Sequence, residues 1–144
     1  MSRTLTQTEA RDLIAANKLG HLGCIAESRP YVVPINYIFE DGQIYSHSLP
    51  GLKIEAMRTE PHVCLQVERI EDNFNWRSVV AYGAFEEIRV PSERNDVLGK
   101  LLAQFPLLTP VESLMAEDGN APNSVVFRIV VDRITGVAEE CWRE

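Results

Sequence analysis

The sequence lacks long apolar runs, an excess of positive charge and a secretory signal, and each absence excludes a class of protein. No apolar run approaches the roughly 20 residues that cross a bilayer. The formal net charge is −7, from 21 acidic and 14 basic residues, which argues against binding to nucleic-acid phosphates. The start, MSRTLTQTEA, has no basic end followed by an apolar segment. We therefore expect a cytoplasmic protein with neither a membrane nor a nucleic acid as its partner.

Several sequence patterns that would indicate a particular chemistry are also missing. The three cysteines, Cys24, Cys64 and Cys141, are odd in number and far apart, which fits reduced thiols. With the three histidines they show no close ligand spacing, so no metal site is predicted. There is no glycine-rich dinucleotide fingerprint, no Walker-type loop and no nucleophile elbow around a serine. The sequence thus gives no indication of a nicotinamide domain, a nucleotide hydrolase or a serine hydrolase.

The chain has the size and composition of one globular domain, residues 1–144, of which 45% are hydrophobic. Thr6 and Glu9 have the spacing of a capping box and predict an amphipathic helix from Thr6 to Lys18. Three apolar runs separated by turn residues follow, and they predict consecutive antiparallel strands. Both faces of the second run, YVVPINYIF, are largely apolar, so we expect both to be covered. Pro34 places an edge or an irregularity in that strand, where the backbone could meet a ligand.

The rest of the chain continues the alternation of strands and helices. This order predicts a mainly β protein with α additions, built as a six-stranded antiparallel barrel with peripheral helices. The further elements predicted are a helix over Leu52–Arg58, a strand over His62–Ile70, a bent strand over Trp76–Val90 with a bulge at Gly83, an amphipathic helix around Val97–Phe105, a short helix from Thr109 and a strand over Ser124–Arg133.

The stretch IYSHSLPGLKIEAMRTEP, residues 44–61, joins a strand to a short helix through a turn suited to an anion. The start of a helix offers free backbone N–H groups, and Lys53 lies in the first turn with Ser48 just upstream. The alternative is an ordinary strand-turn-helix with a solvated lysine. Taken alone, these residues favour that alternative.

Three segments carry a resemblance to a known family, and together they extend over nearly the whole chain. They are VVPINYIFEDGQIY (32–45), YSHSLPGLKIEAMRTEPHVCLQVE (45–68) and WRSVVAYGAFEEI (76–88). The chain resembles the pyridoxamine 5′-phosphate oxidase-like FMN-binding split barrels, in the branch that includes the nitroimidazole-resistance proteins. The resemblance implies a split β-barrel and a homodimer with FMN at its interface. It reverses the preference for a solvated Lys53.

The resemblance also implies where the cofactor lies. The strand from Val33 to Asn36 would run along the isoalloxazine ring through backbone groups, and Lys53 would pair with the phosphate. His47 and Ser48 would lie near the ring and the ribityl chain. Trp76 and Ser78 would complete the pocket, from the same subunit or from its partner. The implied cofactor-binding residues are Val33, Pro34, Ile35, Asn36, His47, Ser48, Lys53, Trp76 and Ser78.

Most of these residues also have a simpler structural explanation, and both readings stay open. His47 could hydrogen-bond within a turn, Trp76 could pack in the core or a dimer contact, and Asn36 could bond to backbone. We interpret His21 and His62 as structural.

The function implied is an FMN-dependent oxidoreductase acting on a small molecule. Nitro-group reduction with His47 as the catalytic proton donor is the reaction that the nearest branch suggests. One alternative is a flavin-binding protein without turnover. Another is the same fold holding a deazaflavin, haem or pyridoxal phosphate.

Overall fold

The computed structural model of the protein describes residues 1–105 and 124–141. These residues form eight strands and three helices. In chain order they are β1 (Ser2–Thr4), α1 (Gln7–Ala16), β2 (Leu19–Ala26), β3 (Arg29–Asn36), β4 (Ile38–Glu40), β5 (Gln43–Ser48), α2 (Leu52–Thr59), β6 (His62–Asp72), β7 (Asn75–Glu87), α3 (Pro91–Gln104) and β8 (Val125–Glu139).

The strands form one antiparallel sheet whose two ends are joined by a single residue. Its order is β3-β2-β6-β7-β8-β5-β4, and β1 adds to β8. β3 and β4 lie at opposite ends of that order, yet only Tyr37 separates them in the chain. Because the chain is continuous there, the sheet must curl until its ends meet. The result is a barrel.

The barrel is split where those ends meet. The Ser46 hydroxyl donates a hydrogen bond of 2.6 Å to the Asn36 carbonyl across the junction. Within residues 1–105 and 124–141, no strand pairing joins β3 to β4 or β5. The predicted fold class, a mainly β split barrel with peripheral helices, is confirmed.

The core fills the barrel interior, and Tyr37 ties it to α1. The Tyr37 side chain is fully buried, and its hydroxyl donates to the Ile14 carbonyl at 2.6 Å. Its backbone N–H donates to the Lys18 carbonyl at 2.9 Å. Burial raises the pKa of the Tyr37 hydroxyl above its usual value. The other large, fully buried side chains include Phe127, Ile14, Leu22, Ile44, Ile54, Met57 and Leu65.

The structure differs from the sequence prediction in several elements, and its sheet has eight strands among the described residues where six were predicted. The run YVVPINYIF forms two strands, because the chain turns from one end of the sheet to the other at Tyr37. β1 was not predicted, since its side chains are exposed and show no apolar alternation. α3 begins at Pro91, earlier than the apolar spacing indicated, and β8 continues to Glu139. The helix predicted from Thr109 lies outside the described residues.

The predicted irregularity at Gly83 is confirmed. The pairing of β7 with β8 shifts register between Tyr82 and Gly83, and Asp132 is the extra residue on β8. A Cβ at position 83 would lie 2.3 Å from the Val130 carbonyl oxygen. The two backbones approach closely here, and only glycine leaves room for that.

The capping box predicted at Thr6 and Glu9 is present and fixes the start of α1. The Glu9 backbone N–H donates to the Thr6 hydroxyl at 3.1 Å, and the Glu9 carboxylate accepts from the Thr6 N–H at 3.0 Å. The same carboxylate accepts two hydrogen bonds from Arg3, at 2.9 and 3.0 Å. The Arg3 hydrogen bonds, followed by that of the Thr6 backbone, lower the pKa of Glu9 from 4.5 to about 2.

We expect Glu9→Gln to lower the thermal unfolding midpoint at neutral pH. A carboxylate with a depressed folded-state pKa stabilises the protein above pH 4.5, and this contribution is lost as the pH falls towards 2. The difference in unfolding midpoint between wild type and variant should therefore become smaller as the pH falls from 4.5 towards 2. Thermal scans between pH 7 and pH 2 measure it, with Glu27→Gln, on the β2–β3 turn, as the control. A difference that stays constant with pH would show that Glu9 does not act through its charge.

In the part of the chain that the structure describes, no helix is both long enough and apolar enough to cross a bilayer.

Candidate functional site

The split leaves β3 as an edge strand with one side of its backbone unpaired. β3 pairs with β2 along its whole length, from Arg29 opposite Ala26 to Asn36 opposite Leu19. Among the described strands none pairs with its other side. Val33 and Ile35 point into the barrel, whereas Pro34 and Asn36 point outward and are exposed. β3 therefore offers backbone donors and acceptors beside its exposed outer face.

The uncapped start of α2 is the second part of the candidate site. α2 follows β5 through the turn Leu49–Gly51, and its N-cap residue, Gly51, makes no side-chain hydrogen bond. A Cβ built at Gly51 would meet no atom within 4 Å, so the turn is open. Free N–H groups at a helix start and a lysine in its first turn suit an anion. Lys53 is half-buried in that first turn.

Helix α2, which carries Lys53, packs against β2, the strand that pairs with β3. Burial raises the pKa of the Cys24 thiol, with a smaller contribution from Cys64, and the Lys53 ammonium opposes them. Cys24 lies on β2 directly opposite Tyr31 of β3. Lys53 thus lies near the half of β2 that contains Cys24, while the predicted ring segment, Val33–Asn36, pairs with the other half of that strand.

His47 and Ser48, at the end of β5, lie on opposite faces of that strand. Ser48 is buried, and its hydroxyl donates to the Leu49 carbonyl at 2.9 Å. His47 lies outside the barrel on the α3 side, and its Nδ1 is 3.3 Å from the Ser124 hydroxyl. β5 meets the end of β3 at the Ser46–Asn36 hydrogen bond, so both residues belong to the split.

Trp76 and Ser78 are not brought to the split within one chain. Both lie on the outer face of β7, three strands away from β3 in the sheet order. At about 4.8 Å per strand, that separation is about 14 Å. Trp76 pairs with Ile70 and Glu139 at the far end of β7 and lines a pocket of about 340 Å³.

Ser78 belongs to a chain of hydrogen bonds that the sequence analysis did not identify. His21 Nδ1 lies 2.9 Å from the Gln66 amide oxygen, and the Gln66 amide nitrogen donates to the Ser78 hydroxyl at 3.0 Å. We call these three side chains the polar relay. Each alternates with apolar residues in its strand, which places all three on one face, but their pairing depends on the strand register.

The polar relay lies on an outer sheet face that is otherwise largely apolar and exposed. Leu19, Val32, Tyr82 and Val137 keep 57%, 66%, 43% and 48% of their surface accessible. A groove of about 480 Å³ runs between Val32 and Tyr82 over Cys64. We call this surface, from β3 across β2, β6 and β7 to β8, the outer face. The expected cover over the second face of β3 is not supplied by the described part of this chain.

The chain is similar in sequence and in structure to known proteins. A family model described as pyridoxamine 5′-phosphate oxidase matches residues 6–138. A FAD-binding protein of Mesorhizobium loti is 32% identical, with 97% of this chain and 99% of that chain covered and a TM-score of 0.71.

Two further relatives extend the comparison. A candidate 5-nitroimidazole antibiotic resistance protein of Bacteroides thetaiotaomicron is 22% identical over 96% of this chain and 87% of its own, with a TM-score of 0.76. That likeness concerns the fold. An uncharacterized protein of Rhizobium meliloti (strain 1021) is 37% identical over 86 residues, which are 60% of this chain and 57% of that protein.

The family model extends over most of the chain, and the Mesorhizobium loti structure matches nearly all of it. The resemblance predicted from the three sequence segments is confirmed, and the chain belongs to the pyridoxamine 5′-phosphate oxidase family.

Proposed function

We propose that the protein binds FMN at the split of the barrel and, as a homodimer, uses it as an oxidoreductase for a small molecule. The observation that carries this proposal is that β2 has the unpaired strand β3 as its neighbour and α2, whose uncapped start holds Lys53, packed against it. A flavin mononucleotide needs an apolar surface, a few fixed polar groups and a phosphate site, and β3 with the start of α2 would supply these features.

The residues of the split fit the parts of the cofactor. The free backbone groups of β3 would hold the polar edge of the ring, and Pro34 keeps its outer side apolar. Lys53 and the first N–H groups of α2 would hold the phosphate. The bound flavin would supply the electron-transfer chemistry, while the chain binds, orients and excludes water. His47, held near Ser124 at the same split, is the proposed proton donor.

The homodimer is part of the proposal because the outer face is too apolar to be left in water. Contiguous exposed apolar patches of this kind mark interaction surfaces. A second copy packed there would cover Val32 and Tyr82 and would bring its own Trp76 and Ser78 towards the β3 edge. This arrangement accounts for the position of these two residues, about 14 Å from β3 within one chain.

The comparisons support a flavin cofactor, and the choice between FMN and FAD requires an experiment. The Mesorhizobium loti relative is named as FAD-binding, and the family is named for an oxidase of a 5′-phosphate compound. We propose FMN because one lysine and one helix start suit one terminal phosphate. Titration of the purified protein with FMN, FAD and riboflavin, followed by flavin fluorescence, tests this choice. FMN should bind at least as tightly as FAD and more tightly than riboflavin.

The absorption spectrum of the protein as purified separates the proposed cofactor from its alternatives. Bands of oxidised flavin support a flavin cofactor, whereas a haem band or a response only to a deazaflavin or pyridoxal phosphate would overturn it. Anaerobic bleaching by NAD(P)H followed by reoxidation with a nitroaromatic compound supports the oxidoreductase. A reduced flavin that persists with every acceptor would favour a flavin-binding protein without turnover.

Lys53→Ala is expected to weaken FMN binding by roughly tenfold to a hundredfold, because it removes a charge-assisted hydrogen bond to phosphate. The affinity for riboflavin, which has no phosphate, should not change. Fluorescence titrations with both ligands measure this difference. Lys100→Ala, which removes the same charge from α3 where Lys100 pairs with Glu40, is the matched control. Equal losses for FMN and riboflavin would contradict a phosphate role for Lys53.

A further inference from the structure

The polar relay of His21, Gln66 and Ser78 has a direction that is set by the orientation of the Gln66 amide. The amide oxygen faces His21 and can only accept, so in this orientation the 2.9 Å contact places the proton on His21 Nδ1. The Gln66 amide nitrogen donates to the Ser78 hydroxyl oxygen at 3.0 Å, which leaves the hydroxyl proton to be donated elsewhere. In neutral His21 the Nε2 atom therefore presents a lone pair. The relay thus ends in one acceptor and one donor.

The surroundings of the relay are unlike those of an ordinary exposed polar cluster. The relay crosses three adjacent strands, β2, β6 and β7, on the outer face. Pro34 lies directly opposite His21 on the β3 side, and Leu19, Val32 and Val137 are exposed around it. Glu68, with a carboxylate oxygen 3.9 Å from His21 Nδ1, is the charged group that faces the ring from β6. Asn36, two residues from Pro34 on the same face of β3, is a further polar side chain beside the relay.

If this face is covered, burying His21 Nε2 and the Ser78 hydroxyl costs free energy unless each of them has a hydrogen-bond partner. A donor or acceptor buried without a partner costs about 1–3 kcal/mol. A second copy that covers the outer face must therefore supply complementary groups at His21 Nε2 and at the Ser78 hydroxyl, or a ligand must supply them. The edge of a flavin ring system offers both kinds of group, an imide N–H and carbonyl oxygens.

We propose that the polar relay recognises the flavin ring, with His21 and Ser78 as ring contacts and Gln66 as the residue that positions both. This inference rests on the proposed function and deepens it. It divides the site into two independent parts. Lys53 and α2 hold the phosphate, and the relay holds the ring from the outer face of a second copy. The relay should therefore act equally on flavins with and without a phosphate.

The test compares His21→Leu and Gln66→Leu with wild type in titrations with FMN and with riboflavin. Both variants should weaken binding of both ligands by a similar factor, roughly fivefold to tenfold. Gln104→Leu is the matched control for Gln66→Leu, because Gln104 is an exposed glutamine at the end of α3, outside the outer face. Thermal unfolding midpoints of the ligand-free proteins show whether each variant is folded.

A second measurement uses the wild-type protein and does not depend on any variant. The ¹⁵N signals of His21 in the ligand-free protein should be those of the tautomer protonated at Nδ1, and riboflavin should shift the Nε2 signal. Wild-type affinity of both relay variants for both flavins, or an Nε2 signal that riboflavin leaves unchanged, would overturn the inference while flavin binding itself stands. If the wild-type protein binds no flavin, the proposed function fails, and the inference fails with it.

Discussion

Val32→Glu is expected to convert the protein from a dimer to a monomer at micromolar concentration. Val32 has 66% of its surface exposed on the outer face and borders the groove over Cys64. A carboxylate there would lose its hydration without gaining a partner, which costs several kcal/mol and weakens association by at least about a hundredfold. Sedimentation velocity measures the change. FMN affinity should fall as well, because a monomer would lack the residues that the second copy contributes in the proposed dimer.

A matched control exists at the start of α3. Val90 is 59% exposed and lies away from the outer face, so Val90→Glu adds the same charge at a similar exposure. This variant should remain a dimer and retain FMN. A dimeric Val32→Glu protein would show that the outer face is not the interface. A monomeric protein with undiminished FMN affinity would show that one chain holds the complete site.

Gly83→Ala is expected to lower the free energy of unfolding by about 3 kcal/mol, at the upper end of the usual cost of overpacking. The added Cβ would lie 2.3 Å from the Val130 carbonyl oxygen and 2.8 Å from Ile129 Cγ2. The first of these atoms belongs to the backbone of β8, which cannot move aside without breaking the β7–β8 pairing at the bulge. Urea denaturation at one protein concentration measures the difference.

Gly99→Ala is the control for the effect of removing a glycine. A Cβ at Gly99, within α3, would meet no atom within 4 Å. Alanine there should stabilise the protein by roughly 0.5–1 kcal/mol through helix propensity. If Gly83→Ala were as stable as wild type, the strands would not approach as closely at the bulge as the structure indicates.

Local signals in the sequence were sufficient for much of the fold. The capping box at Thr6 and Glu9 satisfies its own hydrogen bonds within one turn, so spacing alone predicted the start of α1. The turn before Lys53 and the bulge at Gly83 were predicted for the same reason, since glycine and proline constrain the backbone locally. These features depend on a few neighbouring residues.

The features that were missed depend on how distant segments meet. The division into two strands at Tyr37 could not be predicted because the apolar alternation continues through this residue. The chain changes direction at Tyr37 only because the two ends of the sheet meet there. The His21 to Gln66 contact joins residues 45 positions apart and depends on strand register. His21 was interpreted as structural because nothing in its own strand indicates a partner. The split site was placed through resemblance to a family, since the spacing around Lys53 alone favoured a solvated lysine.

A crystal structure of the protein grown with FMN would test the central claim most directly, through the distance from Lys53 Nζ to the nearest phosphate oxygen. The account predicts a hydrogen bond of about 2.7–3.2 Å, with the ring along the β3 edge. A phosphate bound elsewhere, or a ring that lies away from β3, would contradict it.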